Sequence, residues 1–301
     1  MGNLNIDPAN AITELEAALH RFMIRRIIYR ILFRGKGLEF DGYRDYSPDE
    51  DAEDIDWLAS LRAQKILARK YIEERELNIF FVIDISDNMV FGSADKLKCE
   101  YAAEMILALS HLIMNNGDRV GFVLFSDGIK RLIPPKNGRN HFFLLIDSLR
   151  KGEAYGGPSH VANVLNQLLN ELPSNTNAVF VVSDFLNVHK EHEPIFNLFS
   201  ARFETVGMMV RDFRDESLEG LKNELYLEDP ETGRQIIIDP RLVRFNYRSY
   251  TLHQEKIVEN FFRNSGADFI KFLTNSKFAP RFAAFLKDRV LKKAYIVPRR
   301  G

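Results

Sequence analysis

The sequence predicts an α/β fold: a mostly parallel sheet with helices on both faces, joined by a small N-terminal module. Short, nearly continuous apolar runs (Leu77 to Ile85, Val120 to Phe125, Ala178 to Ser183 and Val206 to Val210) suit central strands covered on both sides. Helical patterns separate them at residues 96–114, 141–149, 160–172 and 193–199, and strands alternating with helices imply parallel pairing. The chain of 301 residues, 46% hydrophobic and 28% charged, has the composition of a folded globular protein.

Residues 8–33 read as a helix, with Leu15, Leu19, Phe22, Ile27 and Ile31 at helical spacing and Gly35 and Gly37 ending it. Its basic end suits the helix dipole and reads as a solvated docking face. Residues 38–57 change character. From Glu39 to Asp56 nine carboxylates face Arg44 alone, with Tyr43, Tyr46 and Trp57 interleaved. Such a stretch reads as solvated or as a partner surface, and its aromatics argue for anchoring over disorder; Glu39, Asp41, Arg44, Asp45, Asp54, Asp56 and Trp57 are the expected partner-binding residues. The charged stretch 62–76 begins with a strand or helix edge. Ile129 to Ile133 reads as a short edge strand stopped by Pro134 and Pro135, and residues 225–227 and 235–238 read as a hairpin across a turn-forming Asp-Pro-Glu-Thr-Gly. Residues 250–263 and 279–290 are helical. The expected division is a module over 1–76 packed on the sheet through Tyr43, Tyr46 and Trp57, a sheet domain over 77–264, and a helical extension over 265–301.

Composition also excludes functions. With 41 Lys plus Arg against 42 Asp plus Glu, no basic excess points to nucleic acid. Residues 1–20 lack the basic start and apolar run of an export signal, Ile6 breaks the myristoylation pattern, and no apolar run reaches the roughly 18 residues of a spanning helix. One cysteine, Cys99, forms no internal disulfide and reads as a small core residue. These features predict a cytoplasmic, unanchored protein. No Gly-x-x-x-x-Gly-Lys loop is present and Gly35-x-Gly37 lacks a third glycine, so no nucleotide is expected. His189-x-x-His192 has zinc-compatible spacing but reads as a solvated helix start.

The chemistry concentrates where strands end. Sites in open parallel sheets form beyond the carboxyl ends of strands, and two runs end there in aspartate, as Asp84-Ile85-Ser86-Asp87-Asn88 and Ser183-Asp184-Phe185. Alternation aims Asp84, Ser86 and Asn88 the same way, and carboxylate, hydroxyl and amide oxygens suit Mg²⁺, Mn²⁺ or Ca²⁺. A phosphotransferase of the haloacid-dehalogenase type needs a second aspartate where Ser86 stands. Ser86 as a hydrolase nucleophile lacks the Gly-x-Ser-x-Gly elbow.

Asp84-x-Ser86-x-Asn88 resembles the DxSxS metal-ion-dependent adhesion site of von Willebrand factor A domains, and Asp184 resembles that site's late aspartate. The acidic-aromatic stretch, Glu73 to Arg75, the strand end at Asp84, Asp118 to Asp127, Val181 to Leu186 and Leu227 to Gly233 occur in the order of bacterial domain-of-unknown-function family fifty-eight, which the chain resembles over roughly residues 30–290. The resemblance implies a von Willebrand A-like, Rossmann-type fold and a non-enzymatic role in binding and assembly beside a MoxR-type AAA+ ATPase, acting on a client protein. It also implies a metal set of Asp84, Ser86, Asn88, Asp184 and Ser159, with a partner's acid completing the shell. Asp84 and Asp184 would act mostly through waters, and Ser86 and Asn88 directly. The sequence departs from the pattern at Asn88, where serine is usual, and at Gly156-Gly157-Pro158-Ser159, where Pro158 takes the threonine place and Ser159 substitutes for it or caps the next helix. Two carboxylates with neutral oxygens bind Mg²⁺ weakly. A metal-free scaffold binding through residues 39–56 and a metal-dependent phosphohydrolase are the alternative readings.

Overall fold

The computed structural model describes residues 2–21, 39–47, 55–72, 76–228 and 233–294. The chain forms two units, residues 34–76 and the remainder. Helix α1 (Pro8–Arg21) belongs to the larger one. Residues 22–33, the basic part of the expected first helix, lie outside the described residues.

The smaller unit holds β1 (Glu39–Asp45), α2 (Trp57–Ala63) and β2 (Leu67–Ile72). The two strands pair antiparallel, with an irregularity at Phe40/Gly42. Asp56 caps α2, accepting from the Ala59 N–H at 3.0 Å. Buried Ser60 ties the helix to β2, its Oγ accepting from the Leu67 N–H at 2.8 Å.

The larger unit is built on six strands: β3 (Asn78–Asp84), β4 (Arg119–Phe125), β5 (Ile129–Lys136), β6 (Thr176–Ser183), β7 (Glu204–Arg211) and, after the small antiparallel hairpin β8 (Leu225–Glu228) and β9 (Gln235–Ile238), β10 (Asp268–Leu273). Their spatial order is β10-β7-β6-β3-β4-β5, all parallel except edge strand β5. Counted within the sheet this is 3-2-1-4-5-6, so strand order reverses between β3 and β6, and the crevice at their carboxyl ends is the place where such sheets bind ligands.

Alternation along the strands assigns the two faces. Ile79, Phe81 and Ile83 join the core under α1, α3 (Lys98–Asn115), α4 (Arg139–Arg150) and α9 (Phe278–Ala294). Phe80 and Val82 join the other core with α5 (Val161–Glu171), α6 (Glu193–Arg202) and α8 (Pro240–Asn264). Every residue of β3 is buried, which explains its unbroken apolar sequence. A single helical turn, α7 (Phe213–Glu216), follows β7. None of the described helices is long and apolar enough to cross a membrane.

Several expectations need correction. Residues 1–76 are not one module, because Leu15 and Leu19 are buried in the core of the larger unit. Position 264 is not a domain boundary either: β10 pairs with β7 from Asp268↔Val206 to Leu273↔Arg211, so the C-terminal segment completes the sheet. Strand β5 runs through Pro134 and Pro135 to Lys136, as an edge strand permits. Helix α8 starts at Pro240, ten residues before the expected start, because Asp239 caps it through the Arg241 N–H at 2.9 Å and Pro240 suits the first turn.

Candidate ligand site at the strand switch point

Asp84 is the last residue of β3, and Asp184 follows the last residue of β6. Parallel pairing of these neighbours brings both carboxyls to one end of the crevice. Asp84 is fully enclosed. Its Oδ1 accepts from the Ser86 N–H at 2.9 Å, and its Oδ2 accepts from the hydroxyls of Ser159 and Ser183, both at 2.6 Å. Burial first, and then the charge of Asp184, push its pKa up to about 6, against the pull of the serine hydroxyls.

Ser159 arrives through a clamped turn. Asp87 exchanges two bonds with Gly157, donating its N–H to the Gly157 carbonyl and accepting the Gly157 N–H on Oδ2, both at 2.9 Å. Gly157 has φ +85°, a conformation open to glycine at little cost. His160 then donates its N–H to the Ser126 carbonyl at the end of β4. Pro158 therefore leaves Ser159, one residue later, to meet Asp84.

Asp184 has a different partner. Lys98, in the first turn of α3 and 1% exposed, places Nζ 2.8 Å from Asp184 Oδ2 and 2.9 Å from Asp215 Oδ2. The other oxygen of Asp184 accepts from the Leu186 N–H at 3.1 Å. Burial favours a neutral carboxyl, but Lys98 and then Arg211 outweigh it and hold the Asp184 pKa below the ordinary range. Burial likewise opposes charge on Lys98, and Asp184 and Asp215 outweigh it, keeping the side chain an ammonium. Phe185, next in sequence, has φ +53° and is wholly buried, a strained conformation for a bulky residue. Gln254 of α8 holds it in place, donating Nε2 to the Phe185 carbonyl at 2.5 Å while its Oε1 accepts from Arg211 Nη2 at 2.5 Å. Asp215 also accepts from the Asp212 N–H at 2.9 Å, and Asp212 receives the Ser93 N–H at 2.9 Å and the Thr274 hydroxyl at 3.0 Å. Polar bonds thus link the ends of β3, β6, β7 and β10.

The structure brings together Asp84, Ser86, Ser159 and Asp184. Asn88 lies beside them on the turn Asp87–Met89, half-buried. One observation favours a divalent ion: Ser86 Oγ is buried and makes no well-formed hydrogen bond, although it lies near enough to Asp84 to favour its ionised form. A stronger one opposes it. The expected donor set needs the charge of both carboxylates, and Asp184 is already paired with the Lys98 ammonium. The expected set therefore does not fit a divalent ion.

Sequence reading missed Lys98, Ser183 and Asp215. Ser183 was legible as the polar residue that ends a buried strand. Lys98 was not, since a lysine in a first turn reads as solvated.

The partner-binding candidates of the smaller unit disperse. Asp56 caps α2, and its Oδ2 also accepts from the Tyr43 hydroxyl at 3.3 Å. Asp45 pairs with Lys65 at 2.6 Å on the surface. Arg44 is half-buried on β1 and Trp57 is exposed. Glu39 and Asp41 lie on β1, and Asp54 lies outside the described residues. Asp127 pairs with Lys130 at 2.5 Å. His192 Nδ1 accepts from the His189 N–H at 3.1 Å. Among the described residues no three His, Cys, Asp or Glu side chains group as metal ligands. Cys99 is buried, its thiol pushed up to about 12 by burial and Glu100.

The family model described as "Protein of unknown function DUF58" matches residues 42–257, which span both units. The chain belongs to the DUF58 family. Curated relatives include the uncharacterized proteins Rv1480 of Mycobacterium tuberculosis and Mb1516 of Mycobacterium bovis, each 26% identical over 86% of this chain and 81% of its own length. Among solved structures, the conserved hypothetical protein BatB from Bacteroides thetaiotaomicron is 12% identical over 71% of this chain and 99% of its own, with a TM-score of 0.50, a likeness of fold alone. A von Willebrand factor type A protein from Catenulispora acidiphila aligns over 74% of this chain and 43% of its own at 11% identity, with a TM-score of 0.37. The DUF58 chain has an α/β fold with helices on both faces of a sheet ordered 3-2-1-4-5-6 with one antiparallel edge.

Proposed function

We propose that this DUF58 protein is a non-enzymatic protein-interaction module that works with a MoxR-type AAA+ ATPase on a client, using the carboxyl ends of the main sheet as its binding face. The engagement of the strand-end carboxylates by fixed internal donors carries this reading. A nucleophile or general acid needs an oxygen directed at its substrate, whereas Asp84 and Asp184 are enclosed and serve the fold. Around this buried knot stands a rim that a protein surface can meet: exposed Phe91 and His160 with half-buried Asn88 and Asn187. The ATPase follows from the family resemblance. The smaller unit adds a second candidate face, where exposed Trp57, Leu58 and Leu61 accompany an acidic stretch.

Calorimetry with the MoxR-type ATPase tests the reading. Phe91→Ala with His160→Ala is expected to weaken binding about tenfold or more in a variant that remains folded. A loss seen instead only with Trp57→Ala and Leu61→Ala moves the contact to the smaller unit. Turnover of p-nitrophenyl phosphate by the wild type, abolished in Asp184→Ala, would replace the module with a phosphohydrolase.

A further inference from the structure

We infer that Lys98 supplies from within the chain the positive charge that a divalent ion brings to an adhesion-type site, so that this DUF58 protein holds its strand ends together and meets its partner without metal. The placement of the ammonium is the first support. Nζ lies between Asp184, just beyond β6, and Asp215, on the helical turn α7 that follows β7, at 2.8 and 2.9 Å, and so joins the segments that leave two separate strands, as a bridging cation does. Enclosure is the second. Lys98 is 1% exposed, and the Phe91 ring lies over the ammonium at 5.6 Å from its centroid. A lysine is almost never fully buried without such pairing.

Charge is the third support. Buried Asp184 and half-buried Asp215 pair with Lys98, and Arg211 lies near enough to add its positive charge at Asp184. A dication entering this cluster would be repelled by the ammonium beside Asp184. The recognition chemistry changes as well. A partner carboxylate has no open coordination position to fill, so the fitting partner presents hydrogen-bond donors and apolar groups to the rim of Asn88, Phe91 and His160, and its binding survives EDTA.

Titration of wild type and Lys98→Met with Mg²⁺ and Mn²⁺ tests this, by calorimetry and by thermal melting. No partner takes part, so the outcome is read separately from that of the interaction-module reading. Wild type is expected to give no saturable heat and to melt at the same temperature in EDTA and in about 10 mM Mg²⁺. Lys98→Met is expected to melt lower in EDTA and to gain about 3 °C or more with either ion, as the vacated cluster takes up a cation. Stoichiometric, saturable binding of either ion by wild type overturns the inference. A folded Lys98→Met that ignores both ions also overturns it. Should Lys98→Met not fold under either condition, the wild-type titration decides alone.

Discussion

Lys98 and Asp118 show how burial sets the consequence of a charge. Removing Lys98 leaves Asp184 enclosed without its ion-pair partner, and loss of one partner from a buried pair costs about 3–5 kcal/mol. Urea unfolding of Lys98→Met in EDTA checks this. Asp118 accepts the Leu77 N–H on Oδ1 at 2.6 Å, while its buried Oδ2 makes no hydrogen bond. Burial raises its pKa from 3.8 to about 6. Between those values the folded protein binds more protons than the unfolded chain, so Asp118 makes stability fall as pH rises through that window. Asp118→Asn is expected to abolish that fall and to be more stable than wild type above pH 6, as urea midpoints measured from pH 4 to 7 will show. The residue scale is also where sequence reading stopped short. Asp84, Ser86 and Asp184 were legible because each stands where an apolar run ends. The partners of Lys98 lie 86 and 117 residues away, and no local pattern carries that pairing.

Elements built on strong local signals were legible with small boundary differences, β3, β4, β6 and β7 among them. Strand β10 was not, because Asp268 to Leu273 alternates with charge and lies near two helices; its strand character comes from pairing with β7. The first half of α8 was missed for a related reason. Leu242 and Phe245 point outward, 80% and 81% exposed, so the apolar pattern there does not mark an inner face. Close approach of elements yields another prediction. A Cβ on Gly121 would lie 2.7 Å from the Ile133 carbonyl oxygen and 2.8 Å from Phe80 Cε1. Gly121→Ala is therefore expected to separate β4 from β5 and to cost about 1–3 kcal/mol in urea unfolding. Gln254→Leu removes the bonds to Arg211 and the Phe185 carbonyl together. It is expected to cost a similar amount, about 1–3 kcal/mol, and to leave the strained Phe185 turn open to faster amide exchange.

In the whole molecule the two ends of the chain build one core. Leu15 and Leu19 of α1 are buried with Phe278, Phe282 and Leu286 of α9 and with the inner face of α3. Leu15→Ala is expected to cost about 2–5 kcal/mol, lowering the melting temperature of the larger unit in calorimetry. Acidic residues 39–56 belong to a separate unit of two strands and a helix, and there Asp56 is occupied as a cap. The sequence by itself determined the α/β class, the strands covered on both faces, and the aspartates at their ends, because period, run length and turn residues are properties of neighbours along the chain. Tertiary structure alone decided that α1 and β10 complete the larger unit, and that the cation beside Asp184 is a lysine. Those outcomes depend on where distant segments come to rest, since a helix or a charge is buried only when something far along the chain covers it.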